Sequence, residues 1–324
     1  MSNITTVVID AGARYGVHPS WDRFGGELQY LAFEPDVDEA RRLQQASTRD
    51  GVEVVNLALA GQRGPRTLNI TRHRGYCSFL EPDPEAEWFK RYRPGEGEIE
   101  KRVQIETDTI DNVLQQRGVA ADFLKVDTEG TELEILQGAD GQLSRSVLGV
   151  RTSAYFQACY KGQPLFAEMH GYLAAKGFFL LNLDYVGRGV PRNSFFRNPD
   201  PLSVDATRYG TLIGTDGVWL LDLSKRELNT IEVLKYAAFA MLNFGPDVAL
   251  DTLLTHCRAQ GAPIDVTLAD TRLFKTVRRM CAEFLGRYRV YPDRQWDEAR
   301  ETFQVIFAME LAGADKYWDM IRTL

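Results

Sequence analysis

Apolar residues follow two rhythms along this chain. Up to about residue 186, short β-type runs alternate with segments whose apolar positions recur at helical spacing, the pattern of an α/β fold with a doubly wound, mostly parallel sheet. ITTVVID (residues 4–10) predicts the first strand. Ser20 is placed to cap a helix carrying Trp21, Phe24 and Leu28 on one face, and YLAFEP (30–35) predicts the second strand. Asp36 with Glu39 three residues on has the form of a capping box opening PDVDEARRLQQAS, and VEVVNLALA (52–60) predicts a third strand.

Residues 65–106 break the alternation. TLNITRHRGYCSFLEP reads as a β-excursion around Gly75, and WFKRYRPGEGEIEKRVQIE as a charged loop entering another strand; insertions of this length often carry function. The rhythm then resumes with a helix over DTIDNVLQQRG, a strand DFLKVD (122–127), a helix through TELEILQGA, a strand near VLGVRTSAYF, a helix over QPLFAEMHGYLAAKG and a strand FFLLNLDYV. Gly118 and Gly177 stand where helix C-caps are expected. YGTLIGTDGVWLLDL, with Asp216-Gly217 in a turn, supplies the last β material. From about residue 225 only helical spacing remains, in Leu228, Ile231, Leu234, Ala238 and Met241 and in three further segments. This predicts a domain over 1–224 and an all-helical C-terminal extension over 225–324, for packing, acceptor recognition or homodimer formation.

With 324 residues, 44% hydrophobic and 26% charged, the chain can bury a large core. A formal net charge of -7 gives no global basic field, which argues against nucleic acid as a partner. No run approaches the roughly 18 apolar residues a membrane span needs, and the first strand begins too early to leave room for a signal peptide, so a cytoplasmic location is expected. Cys77, Cys159, Cys257 and Cys281 form no CxxC pair and are expected to be buried apolar residues rather than disulfides or metal ligands.

The chemistry starts at VVIDAGARYG. A dinucleotide site wants glycine at the end of the first strand, so that backbone amides approach a pyrophosphate; here Asp10 precedes Gly12 and Gly16. A carboxylate there repels a pyrophosphate but suits a cofactor with no phosphate and a cationic amino-acid end, as in S-adenosyl-L-methionine. Glu34, about 20 residues further on, is suited to bind ribose hydroxyls, which NAD would also offer; its other reading is a cap for the following helix. Ala58, after the third strand, leaves room for a flat adenine, although alanine is common in any core.

At FLKVDTEGTELEILQGA (123–139) the sequence resembles the hallmark of the FkbM family of S-adenosylmethionine-dependent methyltransferases: Lys-apolar-Asp-x-Glu-Gly-x-Glu, then Leu-x-Gly-Ala. VIDAGARYG, AFEPD, RGYCSFLEP and ACYKGQPLFAEMHGYLAAKGFFLL agree in order, so that the resemblance covers about residues 4–222. It implies a class I, Rossmann-like methyltransferase fold. It also implies that Asp10, Gly12 and Gly16 line the methionine end, that Glu34 binds the ribose, that Ala13 and Pro35 belong to the same cofactor site, and that Asp127 and Glu129 stand beside the transferred methyl. Arg14 departs from the family, which usually has asparagine there, and places a cation at the cofactor turn. The domain also begins at its first strand without the lead-in helices many methyltransferases use to cover the cofactor, a task left to the helical extension or a partner.

Methyl transfer from a sulfonium to an alcohol needs alignment and a proton sink. Asp127, at the end of the fourth strand of the α/β pattern, and Glu129 are candidate bases, or helix-capping carboxylates favouring an N-terminal dipole. His73 in the inserted loop is the third candidate and His170 a weaker one. Asp127, Glu129 and Glu132 could form a hard-metal site, but a base makes a metal unnecessary and none is expected. Arg72, Arg74, Lys90, Arg91 and Arg93 form a local basic patch that would suit an acidic acceptor, unless it is simply a solvated loop surface. Tyr155, Phe156, Tyr160 and Phe166 offer faces for a sugar ring, or fill a core. The family analogy points to O-methylation of a sugar hydroxyl in a polysaccharide, glycolipid or glycosylated natural product. A small hydroxylated metabolite or peptide nitrogen as acceptor, a nicotinamide-dependent oxidoreductase and a non-catalytic binding module stay open.

Overall fold

The computed structural model describes residues 4–18, 21, 24, 28–47, 50–189, 210–290 and 294–311. They form two compact units, one of Val7–Val17 and Gln29–Asp222, the other of Leu223–Leu324 with Met1–Thr6 and His18–Leu28. The helical unit therefore takes in a stretch near the N-terminus that the sequence assigned to the first domain.

The first unit is built on a seven-stranded sheet. Its strands are β1 (Thr6–Ala11), β2 (Leu28–Phe33), β3 (Val52–Val55), β7 (Phe123–Val126), β8 (Gly149–Tyr155), β9 (Phe178–Gly189) and β10 (Thr211–Leu221), in the order β3-β2-β1-β7-β8-β10-β9. The β1–β7, β2–β3 and β7–β8 pairs are parallel, and β10 runs antiparallel to both β8 and β9. This is the class I methyltransferase arrangement. Strand order reverses at β1 and β7, and open α/β sheets bind ligands in the crevice outside the strand ends at such a switch point. Residues of β1, β2 and β7 are buried along nearly their whole length, which explains their near-continuous apolar character.

Helices follow the strands with explicit caps. In α1 (Val37–Ala46) the Asp36 side chain accepts from the Asp38 and Glu39 amides, but the box does not close, because the Glu39 carboxylate turns outward to Arg42. In α2 (Ile110–Arg117) Thr109 caps the start, and Gly118 ends it at φ 66. The segment TELEILQGA gives only the short α3 (Glu132–Gln137), followed by α4 (Asp140–Arg145), which periodicity did not anticipate. After α5 (Phe166–Ala175) the chain turns at Gly177 into β9.

Three expectations change. The run VEVVNLALA is not one strand: after β3 the chain leaves the main sheet, and β4 (Ala58–Leu59) joins a second sheet of order β4-β6-β5 with β5 (Gly64–Thr71) and β6 (Ile99–Asp108). Asp216-Gly217 is no turn. Both residues lie within β10, opposite Ser153 and Thr152 of β8, and a register irregularity against β9 falls between them. Glycine is needed there because a Cβ on Gly217 would lie 2.4 Å from the Trp219 ring. The helix expected from Ser20 is replaced at its end, since Leu28 opens β2; Ser20 itself lies outside the described residues.

The helical unit contains α6 (Thr230–Leu242), α7 (Pro246–Gln260), α8 (Arg272–Leu285) and α9 (Arg294–Phe307). Helix α6 is buried continuously from Val233 to Ala240, so its apolar residues surround the axis rather than form the single stripe read from the sequence. Trp21 packs against Phe24 and against Phe239 of α6, at ring-centroid distances of 5.4 and 6.0 Å. Cys159, Cys257 and Cys281 are buried free thiols; Cys77 is only half-buried. No helix among the described residues is long and apolar enough to cross a membrane.

Candidate functional site

The strand ends at the switch point converge on the segment Asp127–Thr131. Gly12 follows β1 at φ 83, and a Cβ there would lie 1.9 Å from the Asp127 carbonyl oxygen, so the two strand-end loops meet only because residue 12 is glycine. The Gly12 and Ala13 amides each donate to the Phe33 carbonyl at 3.1 Å, and the Gly16 amide donates to the Ala13 carbonyl at 2.7 Å. None of these three amides is left to cradle a phosphate.

Parallel register explains the fate of Asp10. It pairs with Lys125 across β1 and β7, so their side chains leave the sheet on the same face. Lys125 Nζ lies 3.0 Å from Asp10 Oδ1, and the Tyr30 hydroxyl donates to Oδ2 at 2.5 Å. Burial pushes the Asp10 carboxyl up, while Lys125 and Tyr30 pull it back. Burial disfavours the Lys125 ammonium, but Asp10 and Asp127 more than offset this and hold its proton firmly. Asp10 is thus enclosed behind the cleft rather than facing it, a correction to the role read for it.

A cleft opens over these strand ends. Of the residues expected to bind a cofactor, Gly12, Glu34, Pro35 and Ala58 line it. Leu57, Leu59, Leu68, Ile70 and Phe79 make its apolar walls, and Arg14, 3.6 Å from Asp36, stands in its lining. Asp10, Ala13 and Gly16 do not line it. Glu34 is buried and accepts from the Asp36 amide at 2.9 Å, and burial raises its carboxyl to about 7. Asn56, which sequence reasoning missed, holds the Glu34 and Pro35 carbonyls at 2.9 and 3.1 Å.

Asp127 and Glu129 line a second cleft, with Tyr76, Trp88, Arg93, Tyr155, Tyr160 and Thr215 among its other walls. Thr128 and Thr131 of the same turn line the first cleft instead. Asp127 Oδ1 accepts from the Ser153 hydroxyl at 2.9 Å, and Oδ2 lies 3.6 Å from Lys125 Nζ. Glu129 occupies the left-handed region at φ 58, uncommon outside glycine. Its Oε2 accepts from the hydroxyls of Tyr155 and Tyr160 at 3.1 and 2.8 Å. Ser78 from the excursion donates to its carbonyl at 2.7 Å. Burial, and then the neighbouring Asp127, pushes the Glu129 carboxyl up to about 8.

Glu132 is committed elsewhere. Its carboxylate folds back onto the Thr128 amide at 2.9 Å and the Gly130 amide at 3.0 and 3.1 Å. It therefore braces the turn and offers no free ligand atoms. Among the described residues, no group of three His, Cys, Asp or Glu is placed to hold a metal ion.

His73 lines neither cleft: its Nδ1 accepts from the Gly75 amide at 3.2 Å, and its ring packs 4.7 Å from Tyr76. His170 Nδ1 accepts from the buried Trp219 indole at 3.2 Å, and its ring stacks on Phe166. The basic patch is neutralised in place by Arg72–Glu98, Arg74–Glu100, Lys90–Glu85, Arg91–Glu87 and Arg93–Glu96 pairs. Phe156 packs on Phe166 at 5.5 Å and lines neither cleft, whereas Tyr155 and Tyr160 do face the second.

A sequence profile of the Methyltransferase FkbM domain matches residues 10–180, more than half of the chain. The chain belongs to the FkbM methyltransferase family. In this family member, the β10 residues of the second cleft lie beyond the matched region. Among solved structures, a methyltransferase FkbM from Methylobacillus flagellatus is 16% identical at TM-score 0.36, over 68% of this chain and 44% of that one. The present chain thus spans less than half the length of that protein. A Listeria monocytogenes protein assigned as an S-adenosylmethionine-dependent methyltransferase is 9% identical at TM-score 0.34, over 68% of this chain and 94% of that one. A Streptococcus pneumoniae protein assigned as a tRNA methyltransferase is 10% identical at TM-score 0.33, over 93% and 90%. No curated protein matches the chain. The family assignment rests on the sequence profile.

Proposed function

We propose that this protein is an S-adenosyl-L-methionine-dependent O-methyltransferase acting on a sugar hydroxyl of a polysaccharide, glycolipid or glycosylated natural product. One observation carries the reading: at the sheet's switch point an apolar slot has a carboxylate, Glu34, in its lining, while the amides of Gly12, Ala13 and Gly16 are already bonded to backbone carbonyls. That chemistry fits an adenosine carrying no phosphate and disfavours a dinucleotide. The cofactor, when bound, supplies a methyl group on a cationic sulfur.

The remaining work falls to the chain. Glu34 accepts ribose hydroxyls, and Leu57, Ala58, Leu59 and Phe79 take the base between apolar walls. Asp127, held by Ser153 and flanked by Lys125, places a fixed carboxylate where the two clefts approach one another around the Asp127–Thr131 turn. The second cleft presents Tyr76, Trp88, Tyr155 and Tyr160 beside Asp127, Glu129 and Asp216. Flat faces interleaved with carboxylates suit a polyhydroxylated ring, whose hydroxyls need acceptors and whose C–H faces need apolar support. Holding acceptor and donor in line then supplies much of the rate.

Calorimetric titration of S-adenosylhomocysteine tests this reading, with NAD as control ligand. Wild type binds S-adenosylhomocysteine and not NAD, and Glu34→Ala weakens binding by about tenfold or more, the loss of hydrogen bonds to a charged acceptor. Absence of binding to wild type would overturn the cofactor assignment.

A further inference from the structure

Two carboxylates stand at the mouth of the proposed site, and their surroundings differ. Asp127 has a donor on one oxygen, Ser153 at 2.9 Å, and an ammonium 3.6 Å from the other. Both of its oxygens are therefore already engaged. Glu129 has no cation in contact with it among the described residues. Both its tyrosine bonds fall on Oε2, and Oε1 has no hydrogen-bond partner among those residues. Its backbone is fixed at φ 58 by the Glu132 brace and the Ser78 bond. In the same cleft the Thr215 hydroxyl is buried and, among the described residues, unpaired. A buried hydroxyl without a partner is what a polar ligand entering the cleft would satisfy.

We propose that Glu129, gripped through Oε2 by Tyr155 and Tyr160, takes the acceptor hydroxyl's proton on its open Oε1, while Asp127, with both oxygens engaged by Ser153 and Lys125, fixes the turn between the two clefts. The proposal rests on the methyl-transfer reading. As the acceptor oxygen bonds to the methyl carbon, the carbon–sulfur bond breaks and leaves its electron pair on sulfur. The hydroxyl proton passes to Glu129, so a sulfonium and a carboxylate are replaced by a thioether and a carboxylic acid and charge balances. The groups facing Glu129 agree with this role. Asp127 and Glu132 on its own segment disfavour its anion, Tyr155 and Tyr160 support it, and Tyr15, Tyr76 and Cys159 interact with it, with Arg93 in the same cleft wall. Burial and Asp127 set its proton affinity near the working range of a general base.

Two measurements on the full chain test the division of roles. Carbon-13 NMR of protein labelled at glutamate carboxyls, with Glu129→Gln identifying the resonance, should show Glu129 titrating with a midpoint near 8. In Tyr160→Phe the midpoint should move higher, because a donor to the anion is lost. A midpoint near the ordinary 4.5 overturns the proposal. In calorimetry, Glu129→Gln should bind S-adenosylhomocysteine within about threefold of wild type, and Asp127→Asn should lose about tenfold or more. The reverse order also overturns it. A wild type that binds no S-adenosylhomocysteine instead overturns the cofactor reading beneath, a failure distinct from one in which wild type binds and Glu129 titrates near 4.5.

Discussion

Gly12 and Gly16 look equivalent in the sequence, yet they are constrained differently. Both have positive φ, 83 and 80, but a Cβ on Gly12 would lie 1.9 Å from a backbone carbonyl, whereas one on Gly16 would come no nearer than 3.6 Å to a Leu43 methyl. Gly16→Ala should therefore cost only the left-handed backbone penalty, about 1–2 kcal/mol. Gly12→Ala should cost more than about 3 kcal/mol, because β1 and β7 must separate. Urea unfolding midpoints of the two variants check this, and equal losses would mean that the loops do not meet as described. At this scale the sequence was partly legible. Glu34, Pro35 and Ala58 line the first cleft. Asp10 did not, because its fate depends on Lys125, 115 residues away and brought alongside only by strand register. Arg72 and Arg74 are met for a related reason by Glu98, just before β6, and Glu100, on it, 26 residues further on in each case, pairs that no local pattern reveals.

The Asp127–Thr131 turn is the element on which the site depends, and Glu132 is what shapes it. Two consecutive positive-φ residues, Glu129 and Gly130, follow Asp127, and the buried Glu132 carboxylate satisfies the amides of Thr128 and Gly130 inside that bend. Glu132→Ala leaves both amides without their acceptor and should destabilise the protein by about 2–4 kcal/mol. It should also release Glu129 from its left-handed conformation, read as faster amide hydrogen exchange at Thr128 and Gly130. Unchanged exchange there would show that the bend holds itself. The motif's spacing made this element conspicuous in the sequence but not its mechanics: the seating of the Glu132 oxygens on the Thr128 and Gly130 amides has no local signature. The excursion was legible only as an interruption. Its strands pair across some 30 intervening residues, and its role of delivering Ser78 to Glu129 and Tyr76 to the second cleft is tertiary.

For the whole molecule, alternation of apolar periods was enough to read the α/β class, because doubly wound sheets bury their strands and expose one helix face. Strand order and the antiparallel placement of β10 have no local signature and came only with the structure. The site leaves its mark on global stability through three carboxylates, the buried Glu34 and Glu132 and the half-buried Glu129, raised from 4.5 to about 7, 7 and 8, chiefly by burial. Each binds its proton more tightly folded than unfolded. Their contribution is therefore fully present below about 4.5 and is lost as pH rises through 7 to 8. Carboxyls lowered by ion pairs or hydrogen bonds, such as Glu39, Glu81 and Asp140, act in the opposite sense below the ordinary carboxylate range, and they are mostly solvent-exposed and weak. Ligand-free protein should thus be most stable at mildly acidic pH, with a thermal midpoint falling by about 4 °C or more between pH 5.5 and 8.5. The double variant Glu129→Gln, Glu132→Gln carries no charge at these two sites at any pH and should show a markedly shallower decline. A midpoint that rises with pH, or a double variant with the wild-type slope, would show that these carboxyls titrate as ordinary surface groups, and the general-base assignment of Glu129 would fall with that result.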